Sequence, residues 1–219
     1  IVKALLEALG SLHQRHVLHR DIKLENIFVS RNVEGVRVCI GDYGLAHDMD
    51  EDWHNGGSPE YVAPEVVLRS LKPDVYRANA KLMGQFLKQM NALRSQSSHI
   101  IMGPKIQLCW TVDTWSLGVT ILKMVNPHFK LETPYIKTRL GRAFNPKWAK
   151  SILDMFPSRV STSRVSTSRV STSRVSTSRV STSRVSSRGT HGLTDLARQL
   201  MFRGITIEEA LRHKALTGL

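Results

Sequence analysis

The apolar positions of residues 1–15 fall at Val2, Leu5, Leu6, Leu9 and Leu12. That spacing places them on one helical face, so the chain is expected to open with an amphipathic helix. Two short runs, "VLH" (17–19) and "IFVS" (27–30), read as strands flanking a polar loop, the second as a buried strand. "RNVEG" follows as a turn, and "VRVCI" (36–40) as a returning strand. Residues 77–94 repeat the helical pattern, and 112–125 are apolar enough for a helix buried on most sides. An Asn-Pro pair starts a helix over 145–156. Two short helices, 193–202 and 206–213, close the chain. In the second, Thr206 is followed three residues later by Glu209, a capping-box pattern. The sum is an α+β chain, mainly helical, with one small β hairpin.

Between the last two blocks the pattern changes. "SRVST" recurs in five copies from Ser158 to Thr182, and "SRVSS" closes the series at Ser187. A period of five fits neither a helical stripe nor strand alternation. One valine per unit is too little apolar surface to offset the entropy of ordering the backbone, so 158–188 reads as a disordered basic loop. It is also too short in period for a solenoid. Near-identical units without aromatic residues favour a recently expanded repeat tolerated in an exposed loop. Each unit also sets a serine two positions after an arginine, a pattern suited to modification or to weak electrostatic binding.

Composition changes this picture in three ways. A hydrophobic content of 41% is enough for a sizeable core, and no run approaches the roughly 18 apolar residues of a membrane span. The formal net charge of +13 raises nucleic acid as a partner. Seven of those charges are arginines of 158–188, which holds no acid. The remainder carries +6, so nucleic acid is not the expected partner. Cys39 and Cys109 both sit among apolar residues, which predicts reduced thiols and an intracellular setting, cytoplasmic before nuclear. The chain opens at Ile1 and is read as part of a longer protein.

The candidate chemistry begins at "HRDIKLENIFVS" (19–30), where His19, Arg20, Asp21, Lys23 and Asn26 crowd into eight positions before an apolar run. A carboxylate and an amide five residues apart on a strand-anchored loop can serve an acceptor hydroxyl and a metal together. "GDYGLA" (41–46) offers Asp42 and a flexible Gly44, "GSPEYVAPE" (57–65) offers Ser58 and Glu65, and "DTWSLGV" (113–119) sets Asp113 in an apolar helix. One buried aspartate there is suited to holding another segment's backbone.

These four motifs, in this order, resemble the C-terminal lobe of a eukaryotic serine/threonine protein kinase. The resemblance covers 1–68, 110–156 and 190–219. It implies that Asp21 takes the hydroxyl proton, that Lys23 faces the transferring phosphoryl group, and that Asn26 and Asp42 hold Mg²⁺, with Mn²⁺ as a substitute, beneath ATP. Lys23, Asn26 and Asp42 are thus the nucleotide-side residues as well. His19, Arg20 and Asp113 support the loop, and Ser58 and Glu65 belong to the activation segment. Tyr43 stands where the family has Phe, as an aromatic plug with an added hydroxyl. Arg203 is the nearest candidate to pair with Glu65, although Gly204 departs from the family spacing.

The expected organisation is a kinase lobe over 1–157, from the catalytic loop through the αG region, with a surface insertion at 69–109. The repeat insertion at 158–188 follows, and the final helices occupy 189–219. The family's Gly-rich loop and strand lysine belong to an N-terminal lobe that this sequence does not carry, so this fragment is expected to be inactive alone. The expected activity of the parent is ATP-dependent phosphorylation of Ser/Thr on a protein substrate. The alternative is a truncated kinase or pseudokinase acting as a protein-binding scaffold. "HRDIKLEN" and "GSPEYVAPE" lean toward the calmodulin-dependent and related groups. The acidic "HDMDED" (47–52) either supplies Arg20 with the charge that a phosphate would bring or is a solvated acidic loop.

Overall fold

The computed structural model describes residues 1–33, 35–49, 56–94, 109–139, 141–155 and 187–217. The sequence repeat from 158 to 186 and the acidic Asp50, Glu51 and Asp52 lie outside the described residues. The expected leading helix is α1 (Val2–His13), with Leu5, Leu6 and Leu9 fully buried. After it, β1 (Val17–Leu18) leads into the polar loop, which ends in a 3₁₀ turn at Leu24–Asn26. β2 (Ile27–Asn32) and β3 (Gly35–Ile40) form the expected hairpin, in the register Ile27 to Ile40 and Asn32 to Gly35. β1 pairs not with this hairpin but with β4 (His47–Asp48), beyond the "GDYG" segment.

The centre of the fold is α5 (Thr111–Val125), buried without interruption from Thr111 to Leu122. Before it in the chain come α2 (Pro64–Ser70), α3 (Pro73–Ala78) and α4 (Ala80–Arg94). α6 (Pro146–Met155), α7 (Ser187–Arg198), α8 (Ile207–Leu211) and α9 (Lys214–Thr217) follow it. Trp115 of α5 meets Phe202 edge to face, with ring centroids 5.5 Å apart. Such a pair adds about 0.5–1.5 kcal/mol beyond the area it buries. Gly118 explains how α5 and the final helices come so close. A Cβ there would sit 2.5 Å from Met201 Cγ and 2.7 Å from the Ala197 carbonyl oxygen. Thr206 and Glu209 make the expected capping box at the start of α8.

Several expectations need correction. The "IFVS" strand is not buried: Phe28 is 59% exposed and Val29 50%. In this two-stranded hairpin Ile27, Val38 and Ile40 reach the core, and among the described residues no second layer covers Phe28 and Val29. A second hairpin, β5 (Tyr135–Thr138) with β6 (Gly141–Phe144), joins the single one expected. The 77–94 helix is two helices that break at Asn79, whose side chain donates to the Val75 carbonyl. Residues 69–109 are not all surface, because Met83, Phe86 and Met90 of α4 are fully buried and Phe86 lies 5.7 Å from the Trp148 ring. α7 starts at Ser187, inside the stretch read as disordered repeat, and continues as a π-helical turn (Gln199–Arg203) that Gly204 ends.

Candidate active site

Four segments meet around the loop after β1. Asp21 is buried, and both carboxylate oxygens are held. Oδ1 accepts the Ser58 backbone N–H at 2.8 Å, and Oδ2 accepts Lys23 Nζ at 2.6 Å and Asn26 Nδ2 at 3.3 Å. Lys23 Nζ also donates to Ser58 Oγ at 3.0 Å. The "GSPE" segment therefore lies directly on the loop after β1. Gly57, at φ 102°, permits that approach, since a Cβ would stand 2.8 Å from the Arg20 carbonyl oxygen.

Electrostatics follow from these contacts. Burial alone would raise the Asp21 carboxyl, but Lys23 and the Ser58 hydroxyl and N–H outweigh it and hold it below the usual carboxylate range. The Lys23 ammonium is pushed above its ordinary value chiefly by its hydrogen bond to Asp21, with the nearby Asp42 charge adding to the effect. The pair is ionised at neutral pH.

Beneath the loop, Asp113 is fully buried and accepts three hydrogen bonds. Its Oδ1 takes the Arg20 N–H at 2.7 Å, and its Oδ2 takes the His19 N–H at 2.8 Å and His13 Nε2 at 3.0 Å. A carboxylate only accepts, so His13 Nε2 carries the proton. Arg20 adopts φ 68°, a left-handed conformation that costs a non-glycine residue about 1–2 kcal/mol. The two adjacent amides clamped by Asp113 hold it there.

The "GDYG" segment is tied in from the side. His19 Nε2 donates to the Gly41 carbonyl at 3.0 Å, which leaves Nδ1 to accept the Asp21 N–H at 3.3 Å. Asp42 is exposed and also left-handed, at φ 63°. Tyr43 is not a buried plug. It is 50% exposed, with its ring 5.0 Å from that of His19. Glu65 is buried and accepts the Thr111 hydroxyl at 2.7 Å.

The structure thus brings Asp21, Lys23, Asn26, Ser58, His19, Arg20 and Asp113 together, with Asp42 beside them and Glu65 at the base of the segment carrying Ser58. Sequence reasoning missed His13, Thr111 and Ser116, whose hydroxyl donates to the Tyr61 carbonyl at 2.8 Å. His13 ends α1 as an ordinary last-turn histidine, and nothing local signals a partner 100 residues away.

Residues 1–81 match the protein kinase domain family. Over that stretch, and in its curated relatives, the chain is similar to eukaryotic serine/threonine protein kinases. It is 34% identical over 123 residues to the meiosis-specific serine/threonine-protein kinase MEK1 of Saccharomyces cerevisiae, covering 54% of this chain and 21% of that protein. It is 37% identical over 78 residues to calcium/calmodulin-dependent protein kinase type II of Caenorhabditis briggsae, 34% of this chain and 14% of that one. With the probable serine/threonine-protein kinase fhkA of Dictyostelium discoideum it shares 33% over 130 residues, 55% of this chain and 19% of the relative. The chain therefore spans about a fifth or less of these relatives' lengths. No described helix is long and apolar enough to cross a membrane.

Proposed function

We propose that these residues form the C-terminal lobe of a serine/threonine protein kinase that transfers the ATP γ-phosphoryl group to a Ser or Thr hydroxyl of a protein. The observation that carries the reading is the Asp21 carboxylate, oriented by Lys23, Asn26 and Ser58 on a loop that Asp113 clamps from below. In the transfer, the acceptor oxygen forms a bond to phosphorus as the bond to the departing ADP breaks. Asp21 receives the acceptor's proton. Its lowered pKa suits orientation of the hydroxyl and late acceptance of the proton rather than early abstraction. Lys23 holds Asp21 in place and presents positive charge to the phosphoryl oxygens.

The residues also fit a hard divalent cation. The hydrogen bonds of the Asn26 side chain run through Nδ2 and leave Oδ1 as an oxygen ligand, and the Asp42 carboxylate is exposed nearby. Two protein oxygens suit Mg²⁺, which keeps waters and takes phosphates for the rest of its shell. Bound there, Mg²⁺ would supply charge neutralisation at the nucleotide phosphates. The exposed Phe28 ring packs against Gly41, next to Asp42, and offers a flat apolar face for the purine. A groove of about 580 Å³, lined among others by Gly57, Val62, Val66, Leu71 and Tyr135, begins at the segment carrying Ser58 and has room for the substrate chain beside the acceptor.

The test is radiolabelled phosphate transfer by the full-length protein containing this chain, against Asp21→Asn and Asp42→Ala. A positioned base contributes about 10²–10⁴ in rate, so Asp21→Asn is expected to lose at least a hundredfold, and Asp42→Ala is expected to lose transfer because the divalent ion is no longer held. Asp21→Asn retaining activity within a few-fold would overturn the assignment. Residues 1–219 alone are expected to show no appreciable transfer, because nucleotide closure supplies much of the rate.

A further inference from the structure

A second cavity, of about 490 Å³, lies away from Asp21, between α1 and α8. Its volume is ordinary for small-molecule sites, which run about 300–1,000 Å³. Trp110, Ile207 and Leu211 give it an apolar wall, Glu7 and Glu208 stand on it as exposed carboxylates, and its described lining has no lysine or arginine. Two cations stand near it: Lys3 reaches Glu7 only at 4.0 Å with both side chains more than half exposed, and Arg15 donates to the carbonyl of the lining residue Ser11 at 2.7 Å from an exposed position, so solvent screens both from the two carboxylates.

His13 is the informative lining residue. Its side chain is 11% exposed, and Nε2 is committed as donor to Asp113. In the neutral ring Nδ1 is then an acceptor, and it makes no hydrogen bond among the described residues. The cavity therefore presents an aromatic side chain, two carboxylates and an imidazole acceptor, all of which call for a donor of positive charge. The same imidazole is one bond from the carboxylate that fixes the His19 and Arg20 amides.

We propose that this cavity is an effector site for a small organic ammonium ion with an apolar body. The ammonium donates to His13 Nδ1 between Glu7 and Glu208, and the body lies against Trp110, Ile207 and Leu211. Donation to Nδ1 polarises the ring and strengthens its bond to Asp113, so occupancy is felt at the backbone of the loop holding Asp21. The binding site stands apart from the proposed catalytic role of Asp21, and only its effect on phosphoryl transfer rests on that reading.

Titrating the 219-residue chain with phenethylammonium, followed by Trp fluorescence and by amide NMR, tests this without any activity measurement. The expected result is saturable binding with shifts at the His19 and Arg20 amides, weaker by about tenfold in the Glu7→Gln/Glu208→Gln double variant. Neutral 2-phenylethanol is expected to bind at least as much more weakly. Both glutamates are exposed, so the double variant is expected to fold as the parent does. Equal binding of the neutral alcohol, no saturable binding of the ammonium, or saturation without movement of the His19 and Arg20 amides would overturn the proposal, whatever the outcome of the phosphate-transfer assay.

Discussion

Asp113 is where a single atom-scale change should have the largest consequence. Replacing it with alanine removes the acceptor of two buried backbone N–H groups, those of His19 and Arg20, and of His13 Nε2. Each of these three buried donors left without a partner costs about 1–3 kcal/mol. These terms overlap, so Asp113→Ala should lose about 3–5 kcal/mol, a large part of the 5–15 kcal/mol typical of a folded domain. Arg20 would also lose what holds it at φ 68°, and the loop should relax toward ordinary backbone. Asp113→Asn keeps one acceptor oxygen but turns an N–H₂ toward a donor, which costs about 1–3 kcal/mol and leaves a foldable protein to measure. Urea unfolding at constant m gives the stability change, and amide exchange at His19 and Arg20 reports the loop directly. If Asp113→Asn lost less than about 0.5 kcal/mol and both amides stayed protected, the clamp would not be what orders the loop.

Asp42→Asn should leave stability within about 0.5 kcal/mol, because the site is exposed and Asn tolerates left-handed backbone, while Mg²⁺-dependent nucleotide binding by the full-length protein falls sharply; calorimetry reads both. Gly118→Ala should cost about 1–3 kcal/mol, measured by urea unfolding, since its Cβ would meet Met201 and the Ala197 carbonyl with no open space to move into. The pH dependence has two ends. The lowered Asp21 pKa contributes stability that is present above about pH 4 and lost as pH falls through its lower folded value, whereas the raised Lys23 pKa contributes stability present below about pH 10 and lost only as pH rises beyond that. Unfolding free energies of the Lys23→Met variant should therefore converge on those of the parent at acid pH, and a difference that grew on acidification would contradict the pairing.

What the sequence revealed and what it concealed divide along a physical line. The convergence of Asp21, Lys23 and Asn26 was legible because they sit within eight positions on one strand-anchored loop. α1 and α5 were legible because burial of one face, or of every face, leaves a period in the apolar residues. The β5–β6 hairpin was not, because "TPYIKTRLGRAF" carries neither a clean alternation nor an Asn-Gly turn, and Gly141 takes a positive φ. The exposure of Phe28 and Val29 was hidden for the opposite reason. An apolar run states that burial is available, and only the presence of a second layer decides whether it happens.

His13 shows why support is harder to read than chemistry. A proton acceptor or metal ligand must belong to a narrow set of residue types, so its identity carries information even in isolation. A brace needs only to end within hydrogen-bond distance of its target, and that depends on how α1 and α5 cross, which no local pattern encodes. Here the brace runs from His13 through Asp113 to two consecutive amides and ends at Asp21, joining residues 13, 113 and 19–21 in one polar chain. Because Asp113 is fully buried while His13 borders a cavity open to solvent, the chain has one sealed end and one accessible end. Removing the sealed member should unfold the loop. Changing what His13 meets at its free nitrogen should only tune it, and amide exchange at Arg20 separates the two effects.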